Sequence, residues 1–242
     1  MDTGSLLEWA CFAVCIILAG LRVPSLLQGR NPLMFWIFVL SGLAVLLSIR
    51  GPYFFFDSLL GSSNYVNLIL RYVVFAAVVL GGARIARAFG SSRAHRALVG
   101  PPGLIVLAVM SVAVLATFLL MDTSGTGLGM DGISDRNPVN AVCYEIYAAA
   151  GRLYPAYVAA VLLPAAWRVV RGGLPAIFRV STAVLGAGLL MMLLAGINPV
   201  PQLNQWSIQI ALNYSSILLI VLGLGGLGLS RWWAHSQRVM KQ

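Results

Sequence analysis

The stretch "NAVCYEIYAAAGRLYPAYVAAVLLPAAWRVV", Asn140 to Val170, decides how this sequence is read. It is long enough to cross the roughly 30 Å hydrocarbon core of a bilayer as a helix. It also holds Glu145 and Arg152 well inside its apolar run. At about 100° per residue, seven positions bring a side chain back to within about 20° of its first direction. Glu145 and Arg152 are therefore expected on one face, about 10 Å apart along the axis, with Arg152 close to mid-bilayer. Tyr144, Tyr147, Tyr154 and Tyr157 add phenols to the same helix. Buried charge in hydrocarbon costs several kcal/mol unless paired or hydrated, so that face is expected to look into a protein interior.

The rest of the chain agrees with a membrane reading. Of 242 residues, 60% are hydrophobic and only 10% charged, and the mean hydropathy is +0.89. Soluble domains are about 25% charged. Apolar runs between polar or Gly/Pro punctuation predict seven spans: Leu6–Leu21, Pro32–Ile49, Tyr65–Gly82, Gly103–Met121, Ala141–Val170, Val180–Ile197 and Trp206–Leu229. Nothing is left over for a soluble domain, so residues 1–242 are expected to form one all-α, polytopic transmembrane bundle.

Charge placement orients it. Arg22, Arg30, Arg84, Arg87, Arg93, Arg96, Arg168, Arg171, Arg179, Arg231, Arg238 and Lys241 fall on odd-numbered connections or the C-terminus; even-numbered ones hold only Arg50 and Arg136. Positive residues mark the cytoplasmic side, which predicts the N-terminus outside and the C-terminus inside. Asp2, Asp57, Asp122, Asp131 and Asp135 then all fall outside. Trp9 and Trp206 sit at outer span ends, and Trp36, Trp167, Trp232 and Trp233 at inner ends. The N-terminus lacks the basic region of a cleaved signal peptide, so its first apolar run is expected to stay as a span.

Placed this way, the net charge of +9 points to anionic lipid headgroups at the cytoplasmic face rather than to nucleic acid. "RIARAFGSSRAHR" (Arg84–Arg96) and "RWWAHSQRVMKQ" (Arg231–Gln242) carry most of it. A cytoplasmic protein partner is the sharper alternative for the same segments.

Several enzyme and cofactor classes drop out. The glycines of "GTGLGMDG" (Gly125–Gly132) resemble a phosphate-binding loop, but they fall between two spans without the required strand, so a flexible solvated loop is expected. A retinal Schiff base needs a lysine in the last span, and the single lysine is Lys241, beyond it. No span holds a histidine or a pair of aspartates for proteolysis. Cys11, Cys15 and Cys143 are expected as small buried hydrophobes, with no metal site. No catalytic constellation and no cofactor is expected. The glycines of "LGLGGLGLS" (Gly223, Gly225, Gly226 and Gly228), with Gly186 and Gly188, suit close helix packing in lipid.

Other spans supply polar partners for Glu145 and Arg152. Arg71 is predicted about 9 Å deep, with Asn67 one turn above it. Gln209 and Asn213, again one turn apart, fall in the outer half of the last span. Two arrangements fit Arg71, Glu145, Arg152, Asn67, Gln209 and Asn213. In one, Glu145 bridges an arginine and fixes helix packing. In the other, an outward-facing pocket with one carboxylate and two guanidiniums binds a small anionic ligand, because guanidinium forks match carboxylate or phosphate.

"YFFFDSLLGSSNYVNLILRYVVFAA" (Tyr53–Ala77) and "GRLYPAYVAAVLLPAAWRVVRGGLPAIFRVSTAVLGAGLL" (Gly151–Leu190) resemble a group of actinobacterial seven-helix membrane proteins labelled as transporters. The likeness covers residues 50–82 and 140–190 and implies seven helices and transport. In that group a soluble domain follows the helices; the sequence here stops at Gln242.

Overall fold

The computed structural model describes residues 3–29, 32–125, 127–197 and 206–239, with backbone alone at 3–4, 206–208, 210 and 229–239. Asp2, Arg30 and Lys241, and the side chains of Trp206, Arg231, Trp232, Trp233, His235 and Arg238, lie outside this description.

The described residues are mostly helical, with no strand among them. In chain order the helices are α1 (Thr3–Gly20), α2 (Val23–Leu27), α3 (Pro32–Ser48), α4 (Arg50–Leu59), α5 (Tyr65–Ala88), α6 (Ser92–Val99), α7 (Pro101–Leu120), α8 (Pro138–Arg171), α9 (Ala176–Ile197) and α10 (Trp206–Val239). Each of the seven apolar stretches falls within a helix. Six candidate spans are long and apolar enough to cross a membrane: Ser5–Leu27, Tyr65–Ala88, Ser92–Leu120, Pro138–Arg171, Ala176–Ile197 and Ala211–Gly228. α3 has only 17 residues and joins the set only if it is counted with α4 as one broken span. The exposed side of α7 is apolar along its length, through Ile105, Val109, Val112 and Leu119. A helix with apolar side chains on its exposed as well as its buried side suits lipid rather than water.

Local chemistry sets the breaks. Asn137 caps α8, its Oδ1 accepting the Asn140 N–H at 2.7 Å, and Pro138 follows at the first helical position, where its missing N–H costs nothing. Ser91 caps α6 in the same way, taking the Ala94 N–H at 3.3 Å. At Ile49 the backbone turns extended, and α4 leaves α3 at 87°. α4 is two-faced: Tyr53 and Asp57, four residues apart, are buried, while Phe54, Phe55, Phe56 and Leu59 are exposed.

α5 and α8 run parallel, with Phe75 against Tyr154 at 4.9 Å between ring centres. α9 lies antiparallel to both α8 and α10, and there glycine does the packing. A Cβ at Gly188 would meet backbone atoms of Ile220 and Ser216 at 2.8 and 2.9 Å, and one at Gly223 would meet the Leu185 backbone at 2.8 Å. Gly225 faces Leu18 of α1. Cys11 and Cys15 are buried and unbridged, in separate apolar clusters.

The 121–137 connection departs from the expected solvated loop. Met130 and Ile133 are fully buried. Its turns use left-handed backbone at Gly125, Gly129 and Gly132, which is the purpose of those glycines. Two buried asparagines hold it down. Asn64 donates to the carbonyls of Thr123 and Gly125 at 3.0 and 2.8 Å and accepts the Gly127 N–H at 3.2 Å. Asn140 donates to the carbonyls of Asp122 and Ile133 at 3.2 and 3.1 Å. With α4, this connection caps one end of the bundle.

Candidate functional site

Beneath the cap, polar side chains run inward as a connected series. Asp57 accepts the backbone N–H groups of Asn64 and Val66 at 3.1 and 3.3 Å. A carboxylate there complements the positive N-terminal end of α5. The Tyr53 hydroxyl donates to Asn64 Oδ1 at 2.9 Å. One turn into α5, buried Asn67 accepts the Tyr147 hydroxyl of α8 at 2.7 Å.

Arg71 comes next. Its guanidinium lies 5.3 Å from the centre of the Tyr147 ring and against Gly151, where a Cβ would stand 2.7 Å from Nη1 and 2.8 Å from Cζ. Glycine at 151 leaves the space that the Arg71 side chain fills, and a larger residue there would displace the guanidinium. Pro155, four residues on, has no N–H to give to the Gly151 carbonyl, so the helix is already loosened at this turn. Arg152 is the neighbouring residue, half-buried and within the repulsive field of Arg71. Tyr144 lies in the field of both guanidiniums. Neither arginine has a carboxylate in ion-pair range among the described residues, where Arg136 and Asp122 pair at 3.6 Å far from both. The Nε atoms of Arg71 and Arg152 are buried without an acceptor.

Arg71 and Asn67 are thus brought together around Tyr147 and Gly151; Arg152 flanks them, half-buried, on the side of α8 that it shares with Glu145. Glu145 is not among them. It is exposed, with neither arginine in ion-pair range, so the expected bridge from Glu145 to Arg71 or Arg152 is corrected. The seven-residue rotation is sound, but the buried stripe of α8 runs through Cys143, Tyr147, Gly151 and Tyr154. Glu145 is two residues from both Cys143 and Tyr147, hence about 160° round the helix from each. Gln209 donates to the Ala195 carbonyl at 3.1 Å and to Asn213 Oδ1 at 3.4 Å, tying α10 to α9 rather than to α5. Asn213 is exposed, and Gln209 Oε1 is buried without a donor. Gly196, next to Ala195, packs on the Arg152 carbonyl, so Gln209 reaches the arginine turn only through α9.

Sequence reasoning missed Tyr53, Asp57, Asn64 and Gly151. A signal existed for Gly151, since small residues mark close helix crossings, and for Tyr53 with Asp57, four apart on one helix face. Chemically the site is a pair of half-buried cations with phenol and amide groups around them. It can bind negative charge, and it holds no nucleophile paired with a base. Neither a protein-family model, nor a curated protein, nor a solved structure matches this chain.

Proposed function

We propose that this chain is a seven-span bacterial inner-membrane protein, N-terminus outside, that binds or passes a small anionic ligand at Arg71 and Arg152. One observation carries the reading: guanidiniums on α5 and α8 lie in each other's electrostatic field, with buried Nε groups lacking acceptors and no carboxylate in ion-pair range among the described residues. Unpaired intramembrane charge is costly and marks ligand or ion pathways. Tyr147, Asn67 and Tyr144 supply orientation. Glu145, Gln209 and Asn213 belong to this site only at its margin. The seven spans require α3 and α4 to act as one broken crossing, with the aromatic face of α4 lying in the outer interface. The likeness to proteins labelled as transporters points the same way.

A second reading has its own support. Arg87, Arg93, Arg96, Arg168 and Arg171 are exposed at the end of the bundle opposite the cap, and Arg171 lies 4.2 Å from the Trp167 ring centre. This cytoplasmic face attracts anionic headgroups, at about 1 kcal/mol per residue, or docks a soluble protein.

Reporter fusions after Gly90 should read cytoplasm and fusions at Gly127 exterior; the reverse at Gly127 overturns the orientation. Reconstituted protein should bind or take up anions from a panel of phosphates and carboxylates, and Arg71→Gln and Arg152→Gln should each abolish it. Retention of anion binding by both variants overturns the site.

A further inference from the structure

The interior changes character one turn below Arg71. α3, α5, α8, α9 and α10 line a half-open slot with Ile37, Val78, Gly81, Val158, Met192 and Val221 among others, with a cavity volume of about 80 Å³. Along α5 the lining runs from Val74 to Ile85, about 16 Å at the helical rise. Its lining is aliphatic apart from Ser41 and Met192. A site without several polar partners does not hold ordered water, and apolar cavities accept apolar guests instead. The slot and the arginine site are continuous in register. On α5, Asn67 stands seven residues before the slot residue Val74, and Arg71 three before it. On α8, Gly151 stands seven before the slot residue Val158. Seven residues return to the same helix face, so Asn67 and Gly151 lie on the helix faces that line the slot, toward the cap from it, without themselves lining it.

We propose that the ligand of this site is a single-chain amphiphilic anion, a phosphate or carboxylate head held by Arg71 and Arg152 with its hydrocarbon chain along the slot. This rests on the anion-site reading above and narrows it. A small inorganic anion would use the head of the site and leave the slot empty. A neutral lipid chain would use the slot and leave both buried Nε groups without an acceptor. An amphiphile answers both.

The test measures equilibrium binding of radiolabelled dodecyl phosphate to the full chain in phosphatidylcholine nanodiscs, with empty nanodiscs as blank. Competitors are inorganic phosphate, butyl phosphate and dodecanol. The expected result is saturable binding in which dodecyl phosphate competes about 100-fold better than butyl phosphate. That figure discounts the roughly fourfold per methylene of transfer from water, because the chain leaves a bilayer. Dodecanol should not compete. Ala77→Leu and Ser41→Leu, which fill the slot from α5 and α3, should each weaken binding about 10-fold while thermal unfolding confirms both are folded. Arg71→Gln should weaken it about 10- to 100-fold, as loss of a charged hydrogen-bond donor does. Equal competition by inorganic and butyl phosphate, with both slot variants unchanged, overturns the amphiphile and leaves the anion site standing. Dodecyl phosphate affinity left unchanged by both Arg71→Gln and Arg152→Gln overturns both readings, as does the absence of saturable binding by any of the anions.

Discussion

Replacing Arg71 by methionine should make the unliganded protein more stable. The sign follows from three contributions. An unpaired cation costs about 2.5–3.5 kcal/mol at the centre of a membrane helix on insertion scales, an upper bound for Arg71, which lies nearer one end of α5. Its contact with the Tyr147 ring, at 5.3 Å, returns about 0.5–2 kcal/mol. Methionine keeps most of the apolar stem, and the gap left beside Gly151 takes back up to about 1 kcal/mol. The balance is a gain of up to about 1 kcal/mol.

Denaturant or thermal unfolding in a mild detergent, followed by tyrosine fluorescence or circular dichroism, is sensitive enough. The competing outcome is far away on the same scale. If Arg71 were one half of a buried ion pair, removing it would strand the partner carboxylate and cost about 3–5 kcal/mol. A loss of more than about 1 kcal/mol on Arg71→Met refutes the reasoning, because it means that a partner charge holds the guanidinium. Glu145→Gln is the companion control. Glu145 is exposed, so this change should stay within about 0.5 kcal/mol.

Three further outcomes follow from other parts of the molecule. Asn64→Ala removes bonds to Thr123, Gly125, Gly127 and Tyr53 at a left-handed backbone position; it should cost about 2–4 kcal/mol and speed hydrogen exchange across 121–137, and unchanged exchange there would count against a pinned cap. Gly188→Val drives a side chain into the α10 backbone and should destabilise by at least about 1–3 kcal/mol, read as a lowered unfolding midpoint; an unchanged midpoint would mean that α9 and α10 do not cross this closely. The Asp122 carboxyl is held below its usual value of 3.8 by Ser124, first through its hydroxyl and then its N–H, and by Arg136. Its pKa is lower folded than unfolded, so its contribution is complete above about pH 4 and disappears as pH falls through the folded value; exchange in 121–137 should rise only below about pH 4, and Asp122→Asn should flatten that profile.

How far the sequence carried the reading depends on the range of the interaction. The seven apolar stretches were legible because hydropathy is a local property, and each falls in a helix. α4 was not, since ten residues with a polar face read as a connection; the spacing of Tyr53 and Asp57 was its trace. The 121–137 cap was illegible for a different reason. Its glycines do resemble a solvated loop, and what orders them are Asn64, some sixty residues earlier, and Asn140 from the next helix. Periodicity likewise set Glu145 and Arg152 on one face of α8, but only the neighbouring helices decide where that face looks. α5 meets α8 along Tyr147 and Gly151, which brought Arg71 in and left Glu145 out. The guanidinium pair is legible only from both helices at once.

That pairing bears on what a bound anion should do to the fold. Arg71 and Arg152 carry like charge within each other's electrostatic field, so an anion held by both offsets their repulsion. A ligand that binds only the folded form should therefore stabilise the protein, by about 2.7 kcal/mol at a free concentration 100 times its Kd. Arg71→Met removes the same repulsion by other means, so the two effects should not add. Wild type should show a concentration-dependent rise in unfolding midpoint with dodecyl phosphate. The methionine variant should start higher and rise little or not at all. Equal rises in both proteins would place the ligand elsewhere, because a site built on two cations cannot lose one and keep its full response.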